Sequence, residues 1–134
     1  MSWGISNFEN DSALEWAEDL VKANKVALIA KELDTFNKNF KITETDMMTC
    51  NIALAAAETV AAIKEDPADD IPEALEEWLA SSKAKADETL VKSAIDAVNK
   101  ICRGSELKEM YVGSQLYDDW MELQKELLQR LKRG

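Results

Sequence analysis

The chain contains no histidine. That excludes catalysis by Ser/His/Asp or Cys/His couples, histidine metal ligation and the usual proton shuttle near neutral pH. An enzyme built on this sequence would have to use carboxylates with a metal, or lysine, tyrosine and cysteine. The two cysteines, Cys50 and Cys102, are far apart and form no C-x-x-C or Cys/His spacing, which argues against a zinc site. No basic stretch followed by an apolar run opens the chain, so the cysteines read as buried free thiols of a reducing cytoplasm. Only four glycines and two prolines occur, which predicts few turns and long segments. Long apolar runs are missing too: the most apolar stretch, Asn51 to Ile63, is too short and too alanine-rich to span a bilayer.

What remains is helical periodicity. With 46% hydrophobic and 31% charged residues, the chain suits one globular domain, residues 1–134, around a single core. The fold class expected is all-α: a single compact bundle of six or seven helices with a central Ala-rich helix and an N-terminal aromatic arm. The first helix starts near Asn10 or Asp11, buries Ala13, Ala17, Leu20 and Val21, and ends near Asn24. The second covers about Lys25 to Asn37 around Val26, Ile29, Leu33 and Phe36. Thr43 to Asp46 resembles a capping box for a long helix to about Glu65, with Met48, Ile52, Ala53, Ala56, Val60 and Ile63 on its apolar face. Ala55, Ala57, Ala61 and Ala62 widen that face, which places the helix centrally. Pro72 opens a short helix to Ser81 carrying Leu75, Trp78 and Leu79. Asp87 caps a helix to Arg103 that Gly104 ends, and Ser105 caps another to about Val112. The last helix runs from Ser114 to about Lys132 with Leu116, Trp120, Leu123, Leu127 and Leu131 inward. Trp78 and Trp120 read as core anchors.

The opening stretch SWGISNFENDSALEW crowds aromatics ahead of the first helix. Phe8 lies just before the caps, where an apolar residue packs back on the first turn. Gly4 permits the bend that would fold Trp3 onto the body. The arm is therefore expected to clasp the first helix, with Trp16 beneath it. Trp3-Gly4, Phe8, Asn10-Asp11, Ala13 and Trp16 together resemble the start shared by an uncharacterised bacterial family, domain of unknown function 4259. The run AAAETVAAI and the Ser105-Glu106-Leu107 helix are also similar to it, although Ile5 and Ser6 stand where that family commonly has a small residue and a glycine. The resemblance implies a small cytoplasmic helical protein and supplies no catalytic residues.

Net charge is −10, from 26 acidic and 16 basic residues. An acidic body repels nucleic acid and anionic membrane surfaces and favours a basic partner. Seven acids fall within Glu65–Glu77 (EDPADDIPEALEE) with no basic residue among them, a pattern that lacks EF-hand order. From this patch Asp66, Asp69, Asp70, Glu73 and Glu77 are the expected docking charges. The function expected is a non-enzymatic binding protein, specifically an immunity protein or antitoxin that covers the basic active-site surface of a cognate toxin such as a nuclease. No catalytic residue, metal or cofactor is expected. The alternatives are a general protein-interaction module, or an all-helical Mg²⁺-dependent nucleotide pyrophosphohydrolase using Glu73-x-x-Glu76-Glu77 with Glu106-x-x-Glu109.

Overall fold

Short polar side chains set most of the helix starts. In the computed structural model, which describes residues 4–133, Asn10 Oδ1 accepts the Ala13 N–H at 2.8 Å and opens α1 (Asp11–Ala23). Asn24 ends that helix in the left-handed region, with φ 53°. Asp46, Asp87 and Ser105 do the same for α3 (Met47–Ile63), α5 (Glu88–Arg103) and α6 (Glu106–Val112), each accepting an N–H three residues on. Three helices lack such a cap. α2 (Ala27–Asn39) follows a turn through Lys25 and Val26, and α4 (Glu73–Ser82) begins after Pro72, whose missing N–H costs nothing there. The third is the last helix, α7 (Tyr117–Lys132), which starts from Leu116. Among the described residues these seven helices are the regular structure, and no strand occurs.

Boundaries shift where a polar side chain prefers a local turn. The expected cap at Thr43 is not used: the Lys41 N–H donates to Thr45 Oγ1 at 2.8 Å, closing its own turn, and α3 begins at Met47. Met48 consequently lies outside the apolar face and is 63% exposed. Ser114 likewise donates to the Tyr111 carbonyl and accepts from the Leu116 N–H. That turn completes the exit from α6, so α7 starts at Tyr117 and Leu116 stays outside the core.

α3 is the axis of the bundle, in contact with all six other helices. Ala53, Ala55, Ala56, Ala57 and Ala61 are each fully buried, and their small side chains let neighbouring backbones come close on every side. Leu20, Ile29, Leu33, Val98, Ile101, Leu127 and Leu131 fill the layer around it. At the N-terminal arm, Phe8 and Asn7 are buried, and the Glu9 carboxylate occupies the space where a Cβ at Gly4 would sit. Trp3 lies outside the described residues. Trp16 lines a groove with Leu28, Lys31 and Thr35 of α2.

Because α3 organises the fold, its cap is a sensitive point. Asp46→Ala is expected to lower stability by about 1 kcal/mol in urea unfolding, and Asp46→Asn to keep most of it. The hydrogen bonds from Thr49 hold the Asp46 carboxyl below its ordinary range. The cap's ionic contribution is therefore present above that ordinary value and is lost as pH falls through the lower, folded-state value. A pH series on Asp46→Asn tests this: its deficit against the wild type should shrink in acid.

Candidate functional site

In the run Ala53–Ala61, Glu58 and Thr59 are the polar residues, and both are buried. Thr59 satisfies itself, its hydroxyl donating to the Ala55 carbonyl one turn back at 2.8 Å. Glu58 cannot, so its carboxylate needs partners from elsewhere. α7 supplies Arg130, whose Nη2 lies 2.9 Å from Glu58 Oε1. The same guanidinium donates from Nε to both oxygens of Glu126 at 2.8 Å and from Nη1 to the Asp66 carbonyl at 3.0 Å. The arm supplies Asn7, which donates to Glu58 Oε2 at 2.9 Å. Asn7 also exchanges hydrogen bonds with Gln124 of α7, at 2.8 and 3.0 Å. One buried network thus joins the arm, α3, the loop after α3 and α7.

The network is not closed. Glu58 Oε1 accepts no aligned hydrogen bond, although Arg130 stands beside it. Burial pushes the Glu58 carboxyl above the usual carboxylate range, against the opposing pull of Arg130 and Asn7. Arg130 is held fully charged by Glu58 and Glu126 despite its own burial.

Over this pair opens a cleft of about 800 Å³ between the arm, the 66–72 loop, α1 and α7. Its charged lining is Glu9, Glu58, Asp66, Asp69, Asp70 and Glu126 against Arg130 alone. Phe8, Leu14, Pro67, Pro72 and Leu123 form apolar walls. Six acids facing one arginine make the cleft strongly cation-attracting.

Of the five expected docking charges, Asp66, Asp69 and Asp70 line this cleft, whereas Glu73 and Glu77 lie exposed on α4 outside it. Nor is the patch wholly unpaired. Asp66 is bound by Arg133 Nη1 at 2.7 Å, and Asp70 accepts from the Ser6 hydroxyl, tying the loop to the arm. Arg130 holds the buried carboxylate and the Asp66 carbonyl, and Arg133 holds the Asp66 side chain. Lys64 takes over the helix end by donating to the carbonyls of Leu131 and Arg133. Glu58, Asn7, Gln124 and Arg130 were not identified as a cluster from sequence. The available signal was the single acid of α3, set within its alanine-rich run.

Other chemistry-bearing groups are spread out. α4 packs on α1 and α3, while α6 packs on α3, α5 and α7, so Glu73, Glu76 and Glu77 do not face Glu106 and Glu109 across a helix pair. Among the described residues no three Asp, Glu or Cys side chains are placed to hold a metal ion. Burial pushes the Cys50 thiol up to about 12 and the Cys102 thiol up to about 11, where neither is a nucleophile near neutral pH. No helix among the described residues is long and apolar enough to cross a membrane.

A family model described as Domain of unknown function (DUF4259) matches residues 2–123. No curated protein and no solved structure matches the chain.

Proposed function

We propose, from the premise that this chain belongs to the DUF4259 family, that it is a non-enzymatic acidic binding protein of the cytoplasm. In this reading it is an immunity protein or antitoxin that neutralises a toxin by covering its basic active-site surface. The observation that carries the reading is the cleft itself: Glu9, Glu58, Asp66, Asp69, Asp70 and Glu126 converge on one opening whose lining holds one basic residue, Arg130, with Arg133 pairing Asp66 at its edge. A nuclease active site is basic because it holds phosphates, and an acidic surface of matching shape can occupy it. The remaining acids on α4, Glu73 and Glu77, extend the negative field beyond the cleft and steer the approach of such a partner.

The partner can be obtained by co-purification with the products of the neighbouring genes, and its association rate then tests the mechanism. Asp69, Glu73 and Glu77 are exposed and hold no hydrogen bond or ion pair among the described residues, so reversing them leaves the fold alone. The triple variant Asp69→Lys/Glu73→Lys/Glu77→Lys is expected to associate at least about tenfold more slowly at low salt, converging on the wild type at high salt. An association rate indifferent to both the reversal and the salt removes electrostatic docking through this face.

A further inference from the structure

We infer that the apolar dimple between the start of α3 and α6 docks an amphipathic helix of a protein partner, which inserts one long apolar side chain there and turns lysine or arginine toward Asp46 and Glu106. This face lies across the arm from the acidic cleft, and no acid of that cleft lines it. Among the described residues six large apolar side chains are exposed, and they are not scattered. Ile42, Met47 and Met48 lie before and at the start of α3, while Met110, Val112 and Leu116 lie at the end of α6 and just beyond. The contact of α3 with α6 brings the two segments together. Met47, Met48 and Met110 thereby line one opening of about 220 Å³, which the buried Leu107, Tyr111 and Trp120 also line. Single exposed apolar side chains are ordinary, but a gathered set around a pocket marks a contact surface.

The dimple and the charges beside it select the partner. No charged residue lines the opening itself. Methionine is long, unbranched and polarisable, so three of the chain's five gathered here adapt to an inserted leucine, methionine or phenylalanine. Asp46 immediately precedes Met47, and Glu106 lies one turn before Met110 on α6. After burial, the charges of Asp46 and Glu106 push the Cys50 thiol up, which puts both acids at this end of α3. Lys108, the basic residue of α6, is bent back toward α5, its Nζ donating to the Arg103 carbonyl at 3.3 Å. An apolar socket beside unopposed acids is complementary to a helix with an apolar face and basic flanks. A second copy fits badly, because it would set two bodies of net charge −10 face to face.

The probe is a blocked model helix repeating Leu-Lys-Lys-Leu-Leu-Lys-Leu, titrated into the full chain with isotopically labelled methionine methyls and followed by NMR. The same helix with glutamate in place of lysine is the comparison. Saturable shifts are expected at Met47, Met48 and Met110, with Met121 of α7 much less affected and the glutamate helix at least about tenfold weaker. Met48→Gln/Met110→Gln alters two exposed side chains and keeps their length. It should leave the circular dichroism unchanged and weaken the lysine helix about tenfold. Glu106→Gln should weaken it about threefold at low salt and not at high salt, whereas Glu73→Gln on α4 should leave it unchanged. The proposal is overturned by affinity that survives Met48→Gln/Met110→Gln, by equal binding of the glutamate helix, or by shifts that never saturate. Weakening by Glu73→Gln as large as that by Glu106→Gln overturns it too. Light scattering that finds a dimer, dissociated by the double methionine variant, gives the face to a second copy. Binding that appears only in Trp3→Ala gives it to that residue, and either result overturns the proposal. Docking through the cleft is judged apart, by reversal of Asp69, Glu73 and Glu77, none of which lines the dimple.

Discussion

Arg130→Met is expected to lower unfolding stability by about 3–5 kcal/mol in urea or thermal denaturation at pH 7, among the largest single-residue effects in this chain. The side chain is 5% exposed and its partner Glu58 2%, so solvent cannot step in when the guanidinium is removed. Met fills similar volume, and the loss therefore reports the uncompensated buried carboxylate rather than a cavity. Glu126, itself half-exposed, loses its bidentate partner at little cost because water replaces it. The Asp66 carbonyl also loses a donor, which loosens the 66–72 loop. Adding Glu58→Gln should restore most of the stability, since Gln keeps an acceptor for Asn7 and carries no charge. The sign of the pH dependence follows from Glu58. Its folded-state carboxyl is already raised by burial, and losing Arg130 raises it further. Its protonated form is favoured on folding, so stability is greatest below its ordinary value and is lost as pH rises through the raised one. The Arg130→Met deficit should accordingly be full at pH 7 and smaller near pH 4. A single variant within about 1 kcal/mol of wild type at pH 7 would mean that the pair is open to water.

The fold was legible because its signals are local. Asn10, Asp87 and Ser105 cap the helices assigned to them, and Asn24 and Gly104 end theirs, since a cap needs only a side chain reaching three residues along its own backbone. The alanine run announced a central helix for the same reason: no other environment buries every face of a helix. Errors arose where two local solutions compete. Thr45 could serve either a helix start or a turn, and its bond to the Lys41 N–H decided for the turn, which put Met48 outside. The cleft was half legible. Asp66, Asp69 and Asp70 are neighbours in sequence and remain neighbours in space. Its floor was not legible, because Asn7, Glu58 and Arg130 are separated by 51 and 72 positions and nothing along the chain pairs an arginine in the last helix with an acid in the third.

Trp120→Ala should cost about 3–5 kcal/mol and lower the melting temperature by about 10–20 °C. The indole is 1% exposed, the largest of the fully buried side chains, and it stacks on Tyr111 of α6 with ring centres 5.0 Å apart and planes 15° from parallel. Through this stack the short α6 is fastened to α7, and a seven-residue helix has little independent stability. Removing the indole therefore leaves a cavity and frees α6 together. Trp120 also borders a small dimple with Met47, Met48 and Met110, three of the most exposed apolar side chains, so a role in partner contact is the competing expectation. The two separate by measurement. A core residue lowers stability and near-ultraviolet dichroism while the folded fraction keeps its association rate. A contact residue slows association or speeds dissociation with stability unchanged. Trp120→Phe sharpens the test, because Phe retains a ring against Tyr111 and should recover more than half of the lost stability. Burial and stacking favour the first outcome, and stability unchanged in Trp120→Ala would refute the packing of α6 on α7 described above.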